Sequence, residues 1–299
     1  MKKAVFIVNP ISGGKSKERI VRIIDERLDG GQFSHEIIYT RYAGHGIEIA
    51  RDCDADLVVA VGGDGTVSEV ARGLIAASQA GNEKCFGIIP CGSGDGLALH
   101  LGISRNPKKA VDVLNHGIQA KMDYGTVNGK PFFCTTGVGF DADVAQAFAS
   151  SGSRGLITYI TTALKLWKNF KPGHYIIQAD SRSVESDAAI ITVGNVNQWG
   201  NQARITPEAS VCDGLMDLSI VRPFRTWNIP RLAILLMTGK ANKAREMLSL
   251  RAGSIRISRK TDGAAHFDGD PASLGLEIDI ETHASALYVM IPADKKDRI

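Results

Sequence analysis

Short apolar runs alternate with helically spaced ones over the first 120 residues. Ala4–Val8 is apolar throughout and of strand length. Lys17–Leu28 follows, with Ile20, Ile23, Ile24 and Leu28 at helical spacing. His35–Tyr39, Leu57–Val61 and Phe86–Ile89 read as further strands, and Gly46–Arg51 and Thr66–Ala77 as further helices. Strands apolar on both faces, alternating with helices, predict a parallel sheet covered on both sides. After about Lys121 the rhythm changes. Met122–Val127, Lys130–Thr136, Tyr175–Ala179, Ala188–Gly194, Met216–Val221, Ser254–Arg259, Ala264–Asp268 and Leu276–Ile280 read as strands, many separated by Gly, Asn, Asp or Pro turns. Helices are expected only around Gly155–Asn169 and Ile229–Met237. The expected fold is an α/β N-terminal domain, its parallel sheet flanked by helices on both faces, plus a mainly antiparallel, β-sandwich-like C-terminal domain. The boundary falls near residues 120–124. Ala286–Ile291 fits either domain, and the charged tail Asp294–Ile299 is expected to fray.

Composition narrows the class. With 44% hydrophobic and 22% charged residues in 299, the chain is neither disordered nor fibrous. A net charge of +3 suits an anionic surface weakly and is too small for a dedicated nucleic-acid binder. The five cysteines form no C-x-x-C pair, which points to idle thiols in a reducing compartment. Lys2-Lys3 precedes an apolar run too short for a signal peptide, and no transmembrane segment is visible. The expected location is the cytoplasm, with any membrane met from its surface.

Three glycine turns carry the chemistry. Asn9-Pro10-Ile11-Ser12-Gly13-Gly14-Lys15-Ser16 joins a strand to a helix, a unit that aims backbone N–H groups and a helix dipole at an anion. Its end matches a Walker A loop. Asn9 replaces the first glycine, however, and Pro10 lacks an N–H, so the P-loop NTPase reading is rejected. A phosphate loop of another kind and a tight structural turn both stay open. Gly62-Gly63-Asp64-Gly65-Thr66 lets the backbone approach a ligand closely. Asp64 supplies a carboxylate at the strand end, where open α/β sheets bind ligands. Thr66 and Glu69 have capping-box spacing, which is compatible with a ligand role. Pro90-Cys91-Gly92-Ser93-Gly94-Asp95-Gly96 repeats the pattern. Three such turns after parallel strands would gather on one sheet edge and enclose a triphosphate.

Together NPISGG, GGDGT and IIPCGSGDGLALHLGI resemble the diacylglycerol kinase catalytic domain superfamily, which includes bacterial lipid kinases, sphingosine kinases and ceramide kinases. The resemblance continues, in family order, through Thr40…Gly44-His45, Asp123-Tyr124-Gly125, Gly139-Phe140-Asp141-Ala142, Gly194-Asn195, Asp213-Gly214-Leu215-Met216-Asp217 and Asp268-Gly269-Asp270. GGDGT alone is shared with NAD kinases; the later motifs mark the lipid branch. The resemblance implies a kinase that uses ATP and Mg²⁺ to phosphorylate a lipid alcohol, diacylglycerol or a sphingoid base. It implies ATP contacts from Asn9, Ser12, Gly13, Thr40, Gly62, Gly63, Asp64, Gly65, Thr66, Glu69, Gly92 and Ser93. Asp64 would also sit by the catalytic Mg²⁺, with Asp123 in the same acidic network. Asp268 would be the general base, with Asp270 beside it. A second, structural metal would use Asp213 and the carbonyls of Ser210 and Leu215. The last strands would return to the first domain, giving 1–122 with 284–299 as the catalytic domain and 123–283 as a β-rich lipid-binding domain.

Two departures from the family pattern matter. The bacterial third turn usually reads G-T-x-N-D-F-A, whereas this chain has Asp95 and Gly96 for the Asn-Asp pair, closer to the sphingosine and ceramide kinase form. The usual D-G-E is Asp268-Gly269-Asp270. Asp143 falls where sphingosine kinases place an aspartate that recognises the amino-alcohol head group; a solvated carboxylate at a helix start is the alternative. Asp95 and Asp143 are thus the candidate head-group residues. Leu156–Trp167 and Ile229–Met237 are apolar enough to line an acyl channel, dip into a bilayer or form core. Lys165, Lys168 and Lys171 suit anionic headgroups or plain solvent. The expected partners are ATP and a lipid at the inner face of a membrane, met peripherally, with no nucleic acid and with a homodimer left open. Two competing readings stand. One is an NAD-kinase-like kinase of a soluble substrate, although the chain's one Asn-Glu step is Asn82-Glu83. The other is a silent lipid-binding protein, which Asp64, Asp123 and Asp268 argue against and Gly96 keeps open.

Overall fold

Five consecutive residues, Ala4 to Val8, have no solvent exposure at all. Alternate side chains of a strand point to opposite faces, so both faces of this strand are covered. The computed structural model, which describes residues 1–13, 16–150 and 156–295, shows how. Its elements divide into two units, Met1–Asp123 with Ser285–Ile299, and Tyr124–Ala284.

The first unit runs β1 (Lys2–Val8), α1 (Lys17–Arg27), β2 (Phe33–Tyr39), α2 (His45–Asp52), β3 (Leu57–Gly62), α3 (Asp64–Gln79), β4 (Cys85–Pro90), α4 (Gly96–His100) and α5 (Pro107–His116). Next comes β5 (Ile118–Val127), which leads into the second unit. The sheet order is β2-β1-β3-β4, all parallel. Val8 lies opposite Tyr39 and Val61, and Gly62 opposite Pro90, so the C-terminal ends of all four strands share one edge.

The second unit contains β6 (Lys130–Phe132), β7 (Thr135–Gly139), α6 (Phe140–Ser150), α7 (Leu156–Trp167), β8 (Gly173–Ala179), β9 (Arg182–Ala188), β10 (Ile190–Gly194) and β11 (Met216–Val221). It continues with α8 (Ile229–Met237), β12 (Met247–Ala252), β13 (Ser254–Arg259), β14 (Ala265–Phe267), β15 (Asp270–Ala272) and the start of β16 (Glu277–Ile291). One antiparallel sheet pairs β16-β13-β8-β9 and the other β12-β11-β10-β7-β14-β15. Their inner faces share a core that includes Val138, Ile177, Ile191, Leu218, Ile257 and Ile278. The end of β16 belongs to the first unit, where Val289 pairs with Phe86 of β4. An α/β domain and a β-sandwich-like domain are therefore the observed architecture.

Several boundaries differ from the sequence reading. Lys130–Thr136 is two strands, because the Phe133 and Cys134 N–H groups turn to the Asp268 carboxylate. Leu276–Ile280 and Ala286–Ile291 are parts of one strand, β16. The expected helix Gly155–Asn169 is observed as Leu156–Trp167. Gly155, Gly14, Lys15 and the end of the Asp294–Ile299 tail lie outside the described residues, as do the side chains of Ile157 and Ile160. Among the described residues no helix is long and apolar enough to cross a membrane.

Candidate active site

The three glycine turns meet in the first unit. Asn9 follows β1, and its side-chain amide donates to the Thr66 hydroxyl at 3.1 Å, tying the first turn to the second. Its Oδ1 accepts the Ile11 N–H, and its carbonyl accepts the Ser12 hydroxyl. Gly13 has φ +62°, and any Cβ there would overlap the Cys91 carbonyl, so the first turn also packs against the third. The Cys91 N–H donates to the Gly62 carbonyl at 2.8 Å. Gly63 and Gly92 face each other so closely that a Cβ on Gly92 would lie 2.6 Å from the Gly63 Cα. Thr40 joins them from the end of β2, its N–H donating to the Val8 carbonyl.

Asp64 stitches this cluster. Its two carboxylate oxygens accept the N–H groups of Asp95, at 2.8 Å, and Gly96, at 2.7 Å. Asp95 is buried, with φ +51°. Its carboxylate accepts the Gly92 N–H and a 2.9 Å bond from Arg105, which also donates to the Ser93 and Gly94 carbonyls. Arg105 thus clamps the third turn, a role that no motif announced. Asp123, fully buried on β5, accepts the Ser285 N–H at 2.6 Å.

The capping box is not formed. Gly63 is the N-cap of α3, and Thr66 sits inside its first turn, where it meets Asn9. Glu69 instead accepts the N–H groups of Gly44 and Gly46, so it caps α2 next door. The sequence spacing was right for a box, but the helix starts two residues earlier.

The second unit holds the other candidates. Asp268-Gly269 forms a two-residue turn between β14 and β15, with φ +51° and +85°, as an Asp-Gly type I′ hairpin requires. The Asp268 carboxylate accepts N–H groups from Phe133, at 3.0 Å, and Cys134, at 2.7 Å. Asp270 pairs opposite Phe267 and is exposed. Two residues before the turn, the buried His266 meets the buried Asp141 at 3.0 Å, and Thr192 donates to the same oxygen of Asp141. Sequence reading missed this cluster because its members lie 125 and 51 residues apart.

Asp141 also lines an apolar cavity of about 300 Å³, with Phe140, Val144, Trp167, Leu232 and Leu236 among its walls. Asp143, two residues further along the first turn of α6, is half-buried. Burial first, and the Asp141 charge second, push its carboxyl above the ordinary range. Asp213 accepts the Leu215 N–H with one oxygen and Arg251 with the other; Arg251 reaches Asp217 as well, at 3.3 Å. The Ser210 hydroxyl accepts the Cys212 N–H.

Comparison with known proteins fits both units. Residues 3–127 match the diacylglycerol kinase catalytic domain, and residues 134–290, over half of the chain, match the YegS C-terminal NAD kinase beta sandwich-like domain. A diacylglycerol kinase of Bacillus subtilis is 24% identical, covering 100% of this chain and 99% of that protein. A Staphylococcus epidermidis diacylglycerol kinase is 26% identical over 94% of this chain and 91% of its own. The solved structure of a Bacillus anthracis diacylglycerol kinase shares the fold, with a TM-score of 0.73 at 19% identity over 97% of each chain. With matching domains in both units, this chain belongs to the diacylglycerol kinase and YegS-like family of lipid kinases.

Proposed function

We propose that this chain transfers the γ-phosphoryl group of ATP to the hydroxyl of a diacylglycerol or sphingoid base, with Asp268 as general base. The observation that carries the lipid assignment is the apolar cavity of the second unit, whose charged wall residue Asp141 is bonded to His266, two residues from Asp268. An acyl chain gains roughly 25 cal/mol per Å² on entering such a lining. Asp268 takes the hydroxyl proton, the oxygen bonds to the γ-phosphorus, and the bond to the β–γ bridging oxygen breaks to release ADP. The N–H groups of the three turns hold the phosphates.

Mg²⁺ suits Asp64 and Asp123, since it is held by one or two carboxylates together with phosphate oxygens and waters, and backbone N–H groups fix both of these carboxylates in place. When bound it offsets phosphate charge, and these two residues are the ones that would hold it. The structural metal assigned by resemblance to Asp213 does not fit. The Arg251 guanidinium already bridges Asp213 and Asp217 and supplies the positive charge there. Thermal melts without nucleotide should therefore give the same Tm in EDTA and in excess Mg²⁺. A fall in EDTA that Mg²⁺ reverses would restore the metal.

Membrane contact is peripheral in this reading, on the cytoplasmic side, and the product feeds phospholipid metabolism. Asp143 favours a cationic head group over a neutral one. Because its pKa is raised, amine recognition strengthens as pH rises and the carboxylate ionises. Asp143→Ala should lower kcat/KM for a sphingoid base roughly 10- to 100-fold, the worth of one charge-assisted hydrogen bond, and spare diacylglycerol. Equal losses on both lipids would remove Asp143 from the head-group role. The reading as a whole is tested with ATP, Mg²⁺ and a lipid panel in mixed micelles; label on NAD with none on lipid overturns it.

A further inference from the structure

Two stretches of the second unit carry basic residues and no acidic ones. Residues 156–179 contain Lys165, Lys168 and Lys171 without one Asp or Glu. Residues 218–245 contain six Arg or Lys, again without an acid. A chain with a net charge of only +3 has thus concentrated positive charge in these two places. They are one place in the fold. Trp167 of α7 stacks on Phe224 with ring centres 4.7 Å apart, and its indole N–H donates to the Thr226 hydroxyl at 3.2 Å.

The same region exposes large apolar side chains. Trp227 is 69% exposed, Ile234 64% and Met237 55%. Helix α8, Ile-Pro-Arg-Leu-Ala-Ile-Leu-Leu-Met, has no buried residue. One side of it, with Leu232, Leu235 and Leu236, lines the apolar cavity. Of its five exposed positions, Pro230, Ala233, Ile234 and Met237 are apolar and follow helical spacing, and Arg231 is basic. Such a stripe has no reason to face water. Arg225 stacks over the Trp227 ring at 4.8 Å, which sets a cation beside the most exposed aromatic. Of the bases, Arg231 is already paired with Glu246; Lys165, Lys168, Lys171, Arg225 and Lys240 are exposed.

We infer that this face, formed by α8, the Arg225–Trp227 turn and the lysines following Leu164, docks on an anionic phospholipid bilayer. The inference rests on the lipid-kinase reading above and gives its substrate a route. Apolar side chains enter the boundary between headgroups and acyl chains, Trp227 anchors there, and the bases meet lipid phosphates. The helix that touches the bilayer with one side walls the cavity with the other, so a lipid passes into the cavity without crossing water. Charge decides the occupant. A second copy of this chain would bring the same positive face, and a neutral apolar partner would leave the bases unmatched.

The test is co-sedimentation of the full chain, without ATP, with phosphatidylcholine vesicles that do or do not contain phosphatidylglycerol. Binding to the phosphatidylglycerol vesicles alone is expected, weakening with salt. Lys168→Gln and Arg225→Gln should each weaken it about fivefold. Ile234→Asp should abolish it without loss of Tm, because the position is exposed. Activity on a water-soluble short-chain lipid should survive in all three variants while activity on vesicles falls. Equal binding to both vesicle types, or unchanged binding by Ile234→Asp, overturns the docking face. So does a dimer in gel filtration that Ile234→Asp dissociates. If no lipid is phosphorylated in any form, it is the kinase reading that has failed, and vesicle binding reports on the face independently.

Discussion

Replacing Asp64 with Asn is expected to lower kcat by about 10²- to 10³-fold, the usual scale for losing one preorganised electrostatic group at a reacting phosphate. The change acts twice. It removes the negative charge that would hold Mg²⁺ against the phosphates. It also replaces one of two acceptor oxygens with an NH₂ group, leaving either the Asp95 or the Gly96 N–H facing a donor. An unsatisfied N–H of this kind costs about 1–3 kcal/mol, so a modest fall in Tm should accompany the kinetic loss. Asp64→Ser separates the two effects, because it loses the charge and shortens the side chain. If the charge matters most, Ser and Asn are equally inactive although their Tm values differ. Turnover within tenfold of wild type in Asp64→Asn would take Asp64 away from the phosphates and leave it as a stitch between turns. The measurements are steady-state phosphorylation in mixed micelles and thermal melts on the same preparations.

The parallel sheet was legible because β1, β3 and β4 carry apolar runs buried on both faces and each leads into a glycine-containing turn. The alternation placed Leu57–Val61 and Phe86–Ile89 correctly to within one residue at each end. Elements without that contrast were missed. β9, Arg182–Ala188, is polar at most positions because one side of it is exposed, and it reads as loop. α6, Phe140–Ser150, opens directly from β7, with Gly139 at φ +101° as the one break between them. α5 did carry a signal: Asn106 caps it and Pro107 opens it, with Ala110, Val111 and Leu114 buried. Motifs named the residues of the phosphate turns but not their bonding. Spacing made Glu69 part of its own helix cap, and the fold gives it to Gly44 and Gly46. Asp95 looked available for a head group, and the fold closes it inside its own turn with Arg105. Contacts such as His266 with Asp141, or Arg251 with Asp213, join residues far apart in the chain, and no local pattern encodes them.

Asp268→Asn should reduce turnover by about 10²- to 10⁴-fold, the range attributed to a positioned general base, while ATP binding stays at its wild-type level. The substitution is a clean one for geometric reasons. The Cys134 N–H and the shorter of the Phe133 contacts both reach Oδ1, so an asparagine that keeps its carbonyl there preserves both bonds. The weaker 3.1 Å contact to Oδ2 is the one that NH₂ disturbs. Asparagine also tolerates the positive φ of +51° at this position, so the Asp-Gly turn survives. What disappears is the ability to take a proton. Nucleotide affinity gives the control, since the glycine turns that would bind ATP belong to the first unit and Asp268 to the second. Asp268→Ala drops both backbone contacts and should lose Tm as well as activity. An Asp268→Asn variant that keeps a tenth or more of wild-type turnover would show that the proton leaves by another route.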